Sequence, residues 1–490
     1  MMKKFPTVFL STAKTSVAIK FAEKKGQVRK IAPRLYTSNM KDSPAQIVSQ
    51  NRWQILDLLV PGGVISHRSA LERSISPDGK VYVTNQYQRK IELPGLVIAQ
   101  IKGPGPVEGD MPMLSFHISS HARAFLENLS PSRAKGGEAK ILPREDIERK
   151  LADLLRTKGE EELNSIRDES RKIARELGFE KEQKKLDQLI GALMGTRTAK
   201  VTDSVAVSYI QREPYDPNTV EKVDILQRTL SQSPKGGRGY SAQADDTFYN
   251  QGFFDAYFSN YIEGTKFEVS IARDIVSSGT VPFDRPSDGH DILGTYQLVA
   301  SLEEMTMSPR TVEEFMDSLV HRHEIIMVGR PDKRPGEFKE KKNFAGQTEF
   351  VAPDLVEGTL SQCFEICNSL SDPFARAIVM AFLITEVHPF YDGNGRTARA
   401  AMNAELIAGE QTRIIVPSVF RSEYLQSLKR LTKHSDPTAF IRVMDYLQEF
   451  VSRIGFSNQV ETETVLRECL AFEDPDDAVR LKMPPLPKTE

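Results

Sequence analysis

Apolar positions recur at three- and four-residue spacing along most of the second half of the chain, and that spacing predicts helices. FYNQGFFDAYFSNYIEG (248–264), TVEEFMDSLVHRHEIIM (311–327), PFARAIVMAFLITEV (373–387), GRTARAAMNAELIAG (395–409) and PTAFIRVMDYLQEFVSRIG (437–455) all carry it. The third is apolar nearly all round, which predicts a buried helix. Between them, RPDKRPGEFKEKKNFAGQTEFVAPDLVEG reads as an exposed segment with a short hairpin. Residues 143–196 read as charged helices with solvated faces. The front of the chain has another rhythm. Ser43 is placed to cap a helix opened by Pro44. Ile47, Ile55, Leu58 and Leu59 form its apolar stripe with Trp53 nearby, and Pro61-Gly62-Gly63 ends it. A second short helix starts at Ser66 and runs through Leu71. DGKVYVTNQYQRKIEL then alternates in KVYVT and again in RKIEL, which predicts a hairpin.

Polar stretches punctuate these elements. SPSRAKGGEAK at 130–140 and SQSPKGGRGYSAQADD at 231–246 read as linkers. The GGRG of the second lacks the preceding strand and the GK[ST] ending of a phosphate loop. The last residues, DPDDAVRLKMPPLPKTE, read as a loose tail. At 490 residues the chain predicts two or three domains. Hydrophobic content of 39% and charged content of 27% describe a globular protein, and no apolar run reaches membrane-spanning length. The first residues are basic, but their apolar run is too short for a signal peptide, so residues 1–30 are expected to form a ragged basic arm. Cys363, Cys367 and Cys469 are read as reduced thiols, which fits a cytoplasmic setting. Net charge is only −2, but residues 1–140 hold 21 basic and 10 acidic side chains while the rest hold 44 and 57. Two halves of opposite sign suggest different partners.

The chemistry concentrates in HPFYDGNGRTAR, residues 388–399. His388 follows a buried helix, and Pro389 stops that helix continuing smoothly. Phe390 can anchor the loop. Asp392-Gly393-Asn394-Gly395 makes a sharp turn whose glycines permit positive φ and close approach of a ligand. The helix that starts there points free N–H groups at the loop, which is an anion site. Arg396 and Arg399 share a face of its first turn, against the macrodipole, and need an anion to justify them. A nucleoside triphosphate with a divalent ion would use all of these groups. Asp392 would be a hard oxygen ligand for Mg²⁺, and His388 would accept a proton from an attacking hydroxyl.

HPFYDGNGRTAR resembles the Fic family signature, H-x-F-x-[D/E]-G-N-G-R-x-x-R, at every fixed position. The resemblance spans about 200–455 and implies a helical core that transfers AMP from ATP to a protein hydroxyl. It implies His388 as general base and Asp392 as Mg²⁺ ligand. It implies Asn394, the backbone near Gly393 and Gly395, and Arg396 as holders of the α- and β-phosphates, with Arg399 reaching the γ-phosphate. Doc-like kinases carry a lysine and an alanine within the GNGR portion. This chain keeps both glycines, which favours AMP transfer over phosphorylation. SNYIEG at 259–264 resembles the family's inhibitory motif, [S/T]-x-x-x-E-[G/N]. Ser259 and Glu263 share a helix face, with Gly264 following, and the resemblance implies that Glu263 pairs with Arg399 in the same chain. PGEFKEKKNFAG at 335–346 resembles the flap hairpin that holds the target segment by strand addition, although many relatives have arginine where this chain has Lys339.

The expected fold class is therefore mainly α: a helical Fic core with a β-hairpin flap, preceded by a small α/β winged-helix-like domain. The expected division is a basic arm at 1–30, a winged-helix-like regulatory domain at 31–140, and a helical connector and linker at 141–246. A Fic domain with its inhibitory helix follows at 247–457, and a tail at 458–490. The order in the front domain, with "VISHRSALE", is similar to regulator or antitoxin-type domains found before some bacterial enzymes. The expected partners are ATP, Mg²⁺, a target hydroxyl on Tyr, Thr or Ser, including one on the chain itself, and a second copy of the chain in a homo-oligomer. No membrane partner is expected. A competing reading is a DNA-binding regulator, using Ser66–Arg73 as recognition helix and Arg89 and Lys90 on a wing, with the core as a nucleotide-responsive switch. A third is the reverse reaction, removal of AMP, with Glu263 activating water.

Overall fold

The computed structural model describes residues 5–132, 139–233, 237–240, 242–346, 348–475 and 479–485. It divides into two units, Met1–Arg212 and Glu213–Glu490.

In the first unit, residues 8–37 form a small antiparallel sheet rather than a ragged arm. Strands β1 (Val8–Leu10), β2 (Arg29–Ala32) and β3 (Leu35–Thr37) lie in the order β1-β3-β2, with a helix at Ser16–Lys24. The basic side chains obscure a sparse set of anchors: Val8, Phe9, Ile19, Ala22 and Val28 are all buried. Ser43 caps the next helix through a capping box with Gln46, as its spacing predicts, but the expected single helix breaks at Asn51 into Pro44–Gln50 and Arg52–Leu59.

The expected winged-helix arrangement is not the fold. Strands β4 (Val64–Ile65), β5 (Lys80–Asn85), β6 (Arg89–Leu93), β7 (Leu96–Lys102), β8 (Met111–Met113) and β9 (Phe116–Ile118) make one mixed sheet, ordered β6-β7-β5-β4-β9-β8. β5 and β6 do not pair with each other. Pro94-Gly95 turns β6 tightly into β7, with Gly95 at φ 76, so the local hairpin is β6–β7 and β5 joins β7 in parallel. The expected recognition helix is His67–Glu72, and its His67, Arg68, Ser69 and Ala70 are buried. Arg68 pairs with Glu72 at 2.8 Å and donates to the Ala139 carbonyl, so it is not available to read a groove.

Behind that helix lies a buried polar cluster. Arg123 pairs with Asp110 at 2.6 Å and with Glu127 at 2.8 Å. Glu127 also accepts the His67 N–H at 2.8 Å and the Ser119 hydroxyl at 3.2 Å. Burial, with Lys140 and Arg123 nearby, pushes His67 down to about 3. It is therefore neutral when folded, whereas in the unfolded chain it protonates near 6.5. Between those values the unfolded state binds the extra proton, so stability is full above pH 6.5 and falls as the pH drops toward 3. The loss attributable to His67 should reach roughly 3–5 kcal/mol. Urea unfolding of wild type and His67→Gln from pH 7 to 4 checks this, and the variant should show the shallower pH dependence.

Four helices complete the first unit: Arg144–Lys158, Glu160–Leu177, Glu180–Leu193 and Ser204–Gln211. The chain from 141 to 246 is not one connector. The helix Pro217–Gln232 buries Val223, Leu226 and Leu230 in the core of the second unit. The linker at 231–246 is also docked there, with Arg238 on Asp445 at 2.9 Å and Gly239 bridged to Gln411. Residues 234–236 and 241 lie outside the described residues.

The second unit is a helical assembly around Pro373–Val387, whose Ile378, Val379, Phe382, Leu383 and Ile384 are buried. Asn394–Ala408 packs along it after the loop that links them. Strands β10 (Phe344–Ala345) and β11 (Thr348–Glu349) form a short hairpin. The expected loose tail is partly core. The helix Gln459–Glu468 buries Leu466, and Cys469, Ala471 and Leu481 are buried beside it, while 476–478 and 486–490 lie outside the described residues. Among the described residues, no helix is long and apolar enough to cross a membrane.

Candidate active site

The loop 388–393 joins the two central helices, and its shape follows from a few anchors. His388 ends the first helix in the left-handed region, at φ 52 and ψ 58. Phe390 is fully buried, and its ring stacks on the His323 imidazole at 3.6 Å between centroids. Gly393, at φ 74, is the N-cap of the second helix with no side-chain cap. A Cβ there would lie 2.6 Å from Met327 Sδ, so the turn requires glycine. The helix N–H groups therefore face the loop without a capping side chain, as an anion site requires.

Asn394 and Arg396 also make contacts within the protein. Asn394 is buried, accepts the Phe390 N–H at 2.9 Å through Oδ1 and donates through Nδ2 to the Phe390 carbonyl at 2.9 Å. It pins the loop to the helix. Arg396 is buried against Asp291 at 2.9 Å and Met327 Sδ at 3.2 Å. Asp291 is itself gripped by Arg330 at 2.6 Å. Asp392 keeps a half-exposed carboxylate, with one oxygen accepting the Gly393 N–H at 2.7 Å.

Arg399 is occupied from a distant helix. Its Nε donates to Ser259 Oγ at 2.9 Å, and Nη2 donates to the Ser259 carbonyl at 2.9 Å and to Glu263 Oε1 at 2.7 Å. Glu263 is the C-cap of the helix Asp246–Ile262, a position where a carboxylate opposes the helix dipole. Gly264, at φ 97, carries the chain away from that helix end. Burial would raise the Glu263 carboxyl, but Arg399, with Arg396 and His388 beyond it, holds it below the usual carboxylate range. The pair also explains Gly395: a Cβ there would lie 2.1 Å from Glu263 Oε1. Gly395→Ala should therefore push Glu263 off Arg399 and cost about 1–3 kcal/mol, the penalty for a buried donor left unmade. In a Glu263→Gly background the same change should cost much less, since only Arg399 Nη1, 3.1 Å from the new Cβ, must then shift. A double-mutant cycle on thermal unfolding reads that coupling.

The His388 side of the loop is held by residues outside the signature. His388 Nδ1 lies 3.2 Å from the Thr385 carbonyl, which can only accept, so Nδ1 carries the proton and Nε2 is the free acceptor. Its ring stacks on Phe350 at 3.8 Å. Burial, then Lys339, pushes His388 down to about 4. His323 accepts the Gly336 N–H on Nδ1 at 3.0 Å and so donates through Nε2 to the Asp392 carbonyl at 3.0 Å. Lys339 is buried, not displayed on the flap, and burial pushes its ammonium down to about 8. In sequence, His323 sits in an ordinary amphipathic helix and Lys339 in a run of charges. Neither spacing reveals a loop more than forty residues away.

The Fic/DOC family model matches residues 294–406, which take in the hairpin and the loop but stop short of the Ser259–Glu263 helix. The chain is 27% identical over 195 residues to the protein adenylyltransferase fic-1 of Caenorhabditis briggsae, covering 39% of this chain and 38% of that protein. It is 24% identical over 255 residues to the protein adenylyltransferase Fic of Nematostella vectensis, covering 50% of this chain and 58% of that protein. It thus spans less than two thirds of either. A Fido domain-containing protein of Dictyostelium discoideum is 32% identical over 99 residues, covering 19% of this chain and 69% of that protein. With the signature loop, the two central helices and these matches together, the chain belongs to the Fic/DOC family.

Proposed function

We propose that this chain is a protein adenylyltransferase held in an inhibited state by its own Glu263. The observation that carries this reading is the 2.7 Å bond from Arg399 to Glu263, beside the uncapped N-terminus that follows His388. The motif implies Arg399 as γ-phosphate ligand, and here that guanidinium is bonded to a carboxylate instead.

The chemistry uses the loop as it stands. Helix N–H groups at 394–396 and, once freed, Arg399 bind the triphosphate. His388 Nε2, neutral well below pH 7, takes the proton of a Tyr, Thr or Ser hydroxyl on the target. The hydroxyl oxygen forms its bond to the α-phosphorus as the bond to the bridging oxygen breaks, and pyrophosphate leaves. Holding these groups in line supplies much of the rate. Among the described residues no group of three or more acidic, His or Cys side chains could hold a metal alone. A single half-exposed carboxylate, Asp392, instead suits Mg²⁺, which takes most of its ligands from phosphates and water and would neutralise their charge. Asn394 and Arg396 hold contacts within the protein, and the backbone N–H groups beside them would share the phosphates with them.

The DNA-binding alternative for 31–140 gains no support from the buried, paired Arg68. The bacterial setting implied by the front domain gains none from the three relatives above, which are nematode, sea anemone and amoeba proteins. Mass spectrometry of lysate proteins after incubation with the purified Glu263→Gly protein and ATP tests the reading. AMP adducts on hydroxyl side chains are expected. Phosphate adducts, or no adduct, would contradict it.

A further inference from the structure

Four consecutive carbonyls, at Val387 on the helix end and at His388, Pro389 and Phe390 in the loop, are tied to one short segment before the hairpin. Lys339 Nζ donates to the His388 carbonyl at 2.8 Å, the Val387 carbonyl at 3.2 Å and Asn343 Oδ1 at 2.7 Å, which uses all three ammonium protons. The Lys339 N–H donates to the Pro389 carbonyl at 2.8 Å. Asn343 Nδ2 donates to the Phe390 carbonyl at 2.9 Å and the His388 carbonyl at 3.2 Å. Immediately beyond the hairpin, the Phe350 N–H returns to the Asn343 carbonyl at 3.3 Å, and the Phe350 ring covers the His388 imidazole. The segment therefore grips His388 at both its carbonyl and its ring.

Such a grip has a physical purpose. His388 is a non-glycine residue in the left-handed region, a conformation that persists only where its surroundings enforce it. The carbonyls at a helix C-terminus lack intrahelical partners, and a cation there complements the dipole. A buried lysine meets both needs, and it is otherwise a costly residue to bury.

Building on the adenylyltransferase reading, we propose that Lys339 and Asn343 are positioning residues: they lock the His388 backbone so that its free Nε2 faces the target hydroxyl, tying the flap that receives the target to the base that acts on it. Neither residue touches the reacting atoms. The charged groups that face His388 are Lys339, Glu263 from the Asp246–Ile262 helix, and Asp392 in its own loop. Lys339 is the one that disfavours the imidazolium, so its loss has a signature that simple damage lacks.

The test uses the full chain carrying Glu263→Gly, with Lys339→Met, Lys339→Arg or Asn343→Ala added. Lys339→Met should lower kcat roughly 10- to 100-fold while KM for ATP stays within about 3-fold. Lys339→Arg should recover most of that loss. In parallel, NMR titration of the His388 ring, which needs no activity, should show its pKa moved upward in Lys339→Met and unmoved in Asn343→Ala, which removes a neutral donor. A kcat within about 2-fold of the parent, an arginine variant as poor as the methionine one, or an unmoved His388 titration in Lys339→Met would each overturn the proposal. A parent with no AMP transfer overturns the adenylyltransferase reading instead, and the His388 titration then decides the clamp alone.

Discussion

His388→Ala should reduce AMP transfer by about 10²–10⁴-fold, the usual contribution of a positioned general base, while leaving ATP affinity within a few-fold. The imidazole projects from a loop whose backbone is held by Lys339 and Asn343 and pinned by Asn394, so truncation leaves the anion site in place. The expectation for pH is equally specific. His388 must be unprotonated to act, and burial holds it at about 4, so the rate should be nearly flat above pH 5 and fall only as the pH drops through that value. An acid limb near 6.5 would mean that the base titrates as an exposed histidine. Transfer rates from pH 4 to 8 in the Glu263→Gly background, with calorimetric ATP binding to the alanine variant, check both expectations. Equal loss of folding and nucleotide binding would assign His388 a structural role.

Glu263→Gly should raise AMP transfer, including self-modification, by at least ~10-fold, since one charge-assisted hydrogen bond is worth about 1.5–3 kcal/mol. The carboxylate and the terminal phosphate compete for one guanidinium, and Arg399 already spends its Nε on Ser259. Removing the carboxylate leaves Arg399 anchored by Ser259, pre-oriented for the phosphate. Replacing Arg399 as well should cancel the gain, because the arginine is then missing from both competing pairs. The same logic predicts a cost: without Glu263 a buried cation loses its partner, so the active variant should unfold more readily until ATP is added.

What the sequence made legible was local. The helices of the second unit follow from periodicity, the turn from Gly393, and the shared face of Ser259 and Glu263 from their four-residue spacing, while the pairing with Arg399 came from the family resemblance. What it hid was tertiary. Asp291 lies on a helix about a hundred residues before Arg396, and no spacing joins them, so the ion pair between them was hidden. Asn394 has the chemistry of a phosphate donor, and it also has the geometry to close its own loop, which no spacing shows. In the first unit, KVYVT and RKIEL both alternate as strands should. Their pairing was decided by a third strand, Leu96–Lys102, which a Pro-Gly turn inserts between them. Lys339 reads only as a departure from arginine within the flap resemblance, and the carbonyls it meets reveal why a lysine is buried there.

The most direct test of the central claim is incorporation of labelled AMP by wild type, Glu263→Gly, and Glu263→Gly with Arg399→Ala, at matched concentration and with folding verified for each. The Glu263–Arg399 competition predicts low incorporation by wild type, a rise of at least ~10-fold on losing Glu263, and a return to the wild-type level or below when Arg399 is also lost. A folded Glu263→Gly protein no more active than wild type would contradict it.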